Sequence, residues 1–143
     1  MTPVTEYIHT NDKNFDFLQL FYNLGVVVEP GRPKGPLIIS EVTNTSLRLT
    51  WQPPDDLGGG KLVCYIIEAR KVANLDIIKN IEIVEPEQTS FIVPDLETSA
   101  LYVFRVYAEN EAGMGEGLVF QKPVRISENI GKYNKMELIK EEI

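Results

Sequence analysis

The sequence has little of the chemistry that holds metals, disulfides or catalytic bases. It contains one cysteine, Cys64, and one histidine, His9. A single cysteine excludes an intrachain disulfide, and a structural zinc site needs four ligands drawn mainly from these two residue types. We therefore expect no metal and no other cofactor, and a domain that is stabilised by its core alone. A reducing, cytoplasmic location fits this cysteine usage.

Long apolar runs and an excess of basic charge are also missing. No apolar run approaches the ~20 residues that cross a bilayer, and the first residues lack the basic and apolar regions of a signal peptide. Twenty-one acidic against 14 basic residues give a formal net charge of −7, the wrong sign for releasing counterions from nucleic-acid phosphates. We expect no nucleic-acid partner and no membrane partner, although a domain cut from a secreted protein would have the same composition.

The 143 residues divide by composition into four segments. Residues 1–28 are an N-terminal extension, and residues 29–36 are a Pro/Gly linker whose three prolines predict a semi-rigid, extended spacer. Residues 37–126 show β patterning throughout and form the predicted domain. Residues 127–143 are a charged C-terminal tail that we expect to be frayed.

The N-terminal extension carries one apolar pattern. Phe17, Leu20, Phe21 and Leu24 fall at i, i+3, i+4 and i+7, which is the spacing of one helical face. A helix of about ten residues is unstable alone and needs a surface to lie on. This pattern is equally compatible with a short docked helix and with a loosely ordered extension or part of a neighbouring domain.

The β domain consists of short alternating segments separated by turn residues. The linker leads directly into one apolar stretch with strand patterning. Six further segments have strand patterning: Thr45–Gln52, Leu62–Lys71, Asp76–Val84, Thr89–Val93, Ala100–Glu109 and Leu118–Ile126. Six or seven strands with no helix between them predict an all-β antiparallel sandwich. Eleven large side chains are predicted to face inward and form its core: Leu47, Leu49, Trp51, Tyr65, Ile67, Phe91, Val93, Leu96, Tyr102, Phe104 and Val106.

Four local motifs resemble one known family. Trp51 is followed by Pro53-Pro54 and an acidic, Gly-rich loop, and the run Tyr65-Ile66-Ile67-Glu68 follows that loop. Tyr102 comes six residues after Leu96, the spacing of a tyrosine corner, in which the phenol hydrogen-bonds an upstream backbone group. The last motif runs from Phe104 through Ala108-Glu109-Asn110 to Gly113. Together they resemble a fibronectin type III domain over roughly residues 30–126.

The resemblance is strongest to the intracellular muscle subgroup, which includes titin, twitchin, myosin-binding protein C and obscurin-like chains. It implies an immunoglobulin-like, seven-stranded antiparallel β-sandwich with short flanking extensions. It also implies a monomeric, non-catalytic module of a sarcomeric or cytoskeletal protein, acting as a rigid spacer and as a docking surface for protein partners. An extracellular adhesion or receptor module is the alternative, and a segment beside a kinase domain is a third.

No motif predicts an enzyme or a small-molecule substrate. The run Gly113-Met114-Gly115-Glu116-Gly117 lacks the third glycine of a dinucleotide fingerprint, so we interpret it as a turn before the last strand. The pair Asp55-Asp56 has no histidine or cysteine partner within the β domain, which favours a solvated loop. Cys64 falls on the outer face by alternation, where we expect an inert, partly covered thiol.

One sheet face stands out as a candidate partner surface. The outer face of the third and sixth strands combines apolar and charged side chains: Cys64, Ile66, Val103, Arg105 and Tyr107. An apolar patch edged by charge is typical of a protein-binding face, but ordinary cross-strand pairing on a partly wet sheet produces the same pattern. Asn44-Thr45-Ser46 also satisfies the N-glycosylation sequon, which has no consequence in a cytoplasmic protein.

Overall fold

The computed structural model describes residues 24–74 and 78–127. The proposed helix around Phe17 and the charged tail from residue 128 onward lie outside the described residues. Eight strands follow one another along the described chain: β1 (Lys34–Ser40), β2 (Leu47–Gln52), β3 (Leu62–Lys71), β4 (Ile78–Val84), β5 (Ser90–Val93), β6 (Leu101–Asn110), β7 (Gly113–Val119) and β8 (Val124–Arg125). The 3-10 turn Val72–Asn74 follows β3.

The strands form two antiparallel sheets. One has the order β1-β2-β5, and the other has the order β4-β3-β6-β7 with β8 also paired to β6. Both β7 and β8 pair with β6, at Arg105–Asn110 and at Leu101–Tyr102 respectively. They are therefore two parts of one final strand that is interrupted around Phe120–Pro123. Counted in this way the fold is the seven-stranded sandwich that the sequence predicts.

The core lies between the two sheets, where alternate side chains of each strand meet. Ten of the eleven predicted core residues are buried there, whereas Phe91 is only half-buried and packs against the core from its margin. The indole of Trp51 meets the ring of Tyr65 edge to face, with 5.3 Å between centroids, a favourable arrangement for aromatic pairs. Six further buried residues complete the core: Leu37, Ala69, Val84, Ala108, Val124 and Ile126.

The tyrosine corner is present. The Tyr102 hydroxyl oxygen accepts a hydrogen bond from the Glu97 backbone N–H at 2.9 Å, which confirms the upstream backbone contact expected for this phenol. The neighbouring Leu96 N–H donates to the Thr45 carbonyl at 2.8 Å. β5 belongs to the smaller sheet and β6 to the larger one. The two contacts attach the segment that crosses between these sheets to β6 and to the residues just before β2.

Two segments differ from their sequence interpretation. The glycine run that begins at Gly113 is not a turn but strand β7, and the turn is confined to Glu111–Ala112. Long-range packing requires two of these glycines, because a Cβ on Gly117 would lie 2.7 Å from the Tyr107 ring and a Cβ on Gly115 would lie 1.9 Å from the Pro30 carbonyl oxygen. The segment assigned as a linker also contributes to the domain, since β1 begins at Lys34 and both Pro30 and Pro33 are buried.

Candidate docking face and chain anchors

The outer face of the larger sheet is built in rows across its strands. One row contains Ile83, Ile66 and Tyr107, and ends at Gly117 on β7. The next row contains Ile81, Glu68 and Arg105, and ends at Val119. Side chains in register on antiparallel strands are direct neighbours, so aliphatic and aromatic groups form a continuous surface from β4 to β6.

A hydrogen-bonded carboxylate holds the middle of this face. The Tyr107 hydroxyl donates to Glu68 Oε2 at 3.2 Å, and the Arg70 guanidinium lies 3.3 Å from the same oxygen. Glu68 is buried, so these two partners offset the cost of removing its charge from water. Because Gly117 has no side chain, the Tyr107 ring packs directly on the backbone of β7. The position of this ring is therefore determined by its neighbours on both sides.

Cys64 corrects part of the predicted surface. It lies on the outward side of β3, as its alternation predicts, but it is only 6% exposed. Its thiol donates a hydrogen bond to Glu109 Oε2 at 3.1 Å. Burial, the Glu109 contact and the nearby charges of Glu109 and Glu85 raise the pKa of this thiol to about 11. Cys64 is consequently a covered, protonated thiol that offers no contact area to a partner.

The remaining predicted surface residues lie together, and the sequence analysis missed two of their neighbours. Ile66, Val103, Arg105 and Tyr107 are half-buried on adjacent strands β3 and β6. Ile81 and Ile83 on β4 are 56% and 73% exposed, so both offer accessible aliphatic surface on this face. The alternation Ile81-Glu82-Ile83 indicates that the two isoleucines share one face of a strand. Only the register of β4 with β3 shows that this is the outer face.

The chain meets opposite ends of one strand where it enters and leaves the domain. On the N-terminal side, the side-chain amide of Asn110, the last residue of β6, donates to the Val28 carbonyl at 2.6 Å. On the C-terminal side, Arg125 pairs with Leu101, the first residue of β6, and the Ile126 N–H donates to the Ala100 carbonyl at 3.0 Å. Nine residue steps of β6 at about 3.4 Å each separate these anchors by about 30 Å.

The described residues contain little that points to other chemistry. Within residues 24–74 and 78–127 no group of three or more histidine, cysteine or acidic side chains is arranged to hold a metal ion. No helix in the same part of the chain is long and apolar enough to cross a membrane.

Two antiparallel sheets that enclose an aromatic core, with a tyrosine corner at the crossover, define an immunoglobulin-like β-sandwich module. The family model of the fibronectin type III domain matches residues 31–120. The chain belongs to the fibronectin type III domain family.

This chain is similar in sequence to known muscle proteins. It is 34% identical over 99 residues to cardiac-type myosin-binding protein C from Rattus norvegicus, which covers 69% of this chain and 8% of the relative. A crystal structure of domains A168–A170 from titin aligns with a TM-score of 0.57 and 30% identity, over 72% of this chain and 34% of that one. These similarities confirm the resemblance to the muscle subgroup.

The fold is shared more widely. The crystal structure of the rat CD45 extracellular region, domains d3–d4, aligns with a TM-score of 0.58 and 23% identity, over 70% of this chain and 51% of that one. At this identity the likeness shows the fold alone. The chain also spans less than a tenth of the myosin-binding protein C that it matches, so the whole relative's role does not transfer directly.

Proposed function

We propose that this chain is a non-catalytic module of a sarcomeric, cytoplasmic protein, where it acts as a monomeric rigid spacer and as a docking surface for another protein. The observation that carries the spacer role is the position of the two chain anchors, at opposite ends of β6 and about 30 Å apart. Modules joined through such ends extend in a line instead of folding back on one another. The similarity to titin and myosin-binding protein C supports the sarcomeric setting.

The docking role rests on the outer face of the larger sheet. Ile66, Ile81 and Ile83 form an aliphatic stripe beside the ordered ring of Tyr107. Rigid aromatic groups next to aliphatic ones are typical of interface cores, because little conformational entropy is lost when a partner covers them. We assign this face to a thick-filament or cytoskeletal protein that presents apolar side chains.

The docking role is tested by sedimentation with purified myosin filaments. The double variant Ile66→Ser/Tyr107→Ala removes two groups at the centre of the face, and we expect its filament affinity to fall at least tenfold. The matched control, Ile38→Ser/Ile92→Ser, changes exposed isoleucines on the other sheet and should bind as the unmodified chain does. Fluorescence of the buried Trp51 verifies that each variant is folded. Equal binding by both variants would remove this face from the proposal.

The alternative is a module of an extracellular adhesion or receptor protein. It is favoured by the exposure of Asn44, whose sequon lies between β1 and β2 on the surface. Expression of the chain through a secretory pathway would test accessibility, and mass spectrometry of native material would decide between the settings. A glycan on Asn44 in native protein supports the extracellular alternative and contradicts the sarcomeric one.

A further inference from the structure

The segment before β1 is held in a groove at one end of the sandwich. The groove lies between the loop of residues 55–60 and the β6–β7 hairpin. The Val28 N–H donates to the Gly58 carbonyl at 2.9 Å, and the Gly31 N–H donates to the Asp56 carbonyl at 2.8 Å. From the first hydrogen bond to the second, residue numbers rise from 28 to 31 in the segment and fall from 58 to 56 in the loop. The segment 26–31, which we call the strap, therefore pairs with the loop in an antiparallel sense.

A single buried amide joins the strap to both walls of the groove. Asn110 is 3% exposed, and its Nδ2 donates to the carbonyls of Val28 at 2.6 Å and Leu57 at 3.0 Å. Its Oδ1 accepts a hydrogen bond from the Ala112 N–H at 2.9 Å. One side chain at the end of β6 thus fastens the strap, the loop and the hairpin together, with each of its hydrogen-bonding groups in use.

Glycines in both walls allow the strap backbone to approach this closely. A Cβ on Gly58 would lie 2.0 Å from the Val28 carbonyl oxygen, and a Cβ on Gly115 would lie 1.9 Å from the Pro30 carbonyl oxygen. Both obstacles are backbone atoms, which cannot rotate away. Gly58 also has a φ of +76°, which side-chain-bearing residues rarely adopt. The groove is therefore shaped to receive an extended backbone.

We infer that the groove is a tension lock whose occupant is the chain's own residues 26–31. The strap delivers force from the N-terminal side into the loop of residues 55–60 and the end of β6. Without the strap, the same force would reach Lys34 at the start of β1, which among the described strands pairs only with β2. The β1–β2 hydrogen bonds would then resist the force without the bonds that the strap makes to Gly58, Asp56 and Asn110, so the domain should unfold at lower force. This inference deepens the proposed spacer function and rests on it only for its biological setting.

The test is to stretch single molecules of the full chain from their two ends. Val28→Pro removes the N–H that bonds Gly58, and its matched control Val28→Ala keeps that N–H. Gly115→Ala places a methyl group against the Pro30 carbonyl, and its control Met114→Ala changes the neighbouring exposed residue. Because the Val28 substitutions lie outside the strands, they test the lock even if Gly115→Ala does not fold.

We expect Val28→Pro and Gly115→Ala to unfold at lower force than the unmodified chain. The controls Val28→Ala and Met114→Ala should unfold at the same force as the unmodified chain. Six residue steps separate Val28 from Lys34. Where the strap is released as far as Lys34, this segment is already extended before unfolding, so the length released becomes shorter by up to about 20 Å, at about 3.5 Å per residue. Unchanged force and released length in Val28→Pro would overturn the tension lock. A failure of myosin-filament binding would contradict the docking role and leave the lock intact.

Discussion

Removing one hydroxyl group tests the tyrosine corner in isolation. The substitution Tyr102→Phe keeps the ring, which is 2% exposed and stacks on Phe104 with 6.0 Å between centroids. It deletes only the oxygen that accepts the Glu97 N–H at 2.9 Å. Apolar packing is unchanged, so any loss of stability measures the hydrogen bond and the amide that it leaves unpaired.

The expected loss in the free energy of unfolding is about 1–2 kcal/mol. A net intramolecular hydrogen bond contributes about 0.5–1.5 kcal/mol, and a buried donor left without a partner costs about 1–3 kcal/mol. Glu97 itself is exposed, so water reaches this part of the chain and the result should fall below the upper limit. A change of this size lowers the melting temperature of a domain of 60–100 residues by about 4–8 °C per kcal/mol.

Urea unfolding followed by Trp51 fluorescence measures this change directly. The midpoint should move to lower urea with an unchanged slope, because the surface exposed on unfolding is the same. Tyr107→Phe serves as a comparison and not as a neutral control, because it removes the phenol that donates to buried Glu68 and should lower the midpoint as well. A Tyr102→Phe midpoint that coincides with that of the unmodified chain would refute the role assigned to the corner.

Three further predictions concern the core, the buried thiol and the close packing of β7. Trp51→Ala should cost about 3–5 kcal/mol and reduce or abolish the cooperative melting transition seen by circular dichroism. Cys64, with its pKa raised to about 11, should resist alkylation at pH 8 until the chain is unfolded. The folded state holds this proton more tightly than the unfolded chain, so stability should fall as pH rises from 9 to 11, and Cys64→Ala should lessen that fall in urea midpoints. Gly117→Ala should displace the Tyr107 ring and cost about 1–3 kcal/mol in urea unfolding, and an unchanged midpoint would contradict this packing.

The strands and most of the core follow from local pattern. Leu47, Leu49 and Trp51 alternate with polar residues, and alternation of this kind reports a strand with one buried face without any knowledge of its partners. The bounds of β3, Leu62–Lys71, follow from a run rich in strand-forming residues after a Gly-rich loop. The tyrosine corner was also predictable, because Leu96 and Tyr102, whose spacing indicates it, lie close together in the sequence.

Features that depend on distant partners were not predictable in this way. Gly115 is a glycine because Pro30 lies against it, and 85 positions separate them in the sequence. Local rules therefore assign a turn where the structure has a strand. The burial of Cys64 depends on its contact with Glu109 on β6, and the exposure of Ile81 and Ile83 depends on the register of β4. The composition of residues 29–36 indicates a spacer. It does not reveal the groove that receives the strap, because distant parts of the chain form that groove.

The rigid spacer requires that the chain enter and leave at opposite, fixed ends of the domain. Spin labels at Glu29→Cys and Ser127→Cys would report the distance between these ends by pulsed electron paramagnetic resonance, with buried Cys64 left unlabelled. Because β6 separates the anchors by about 30 Å, we expect one narrow distance peak at about 30–40 Å, labels included. A broad distribution, or a peak below about 20 Å, would contradict the rigid spacer.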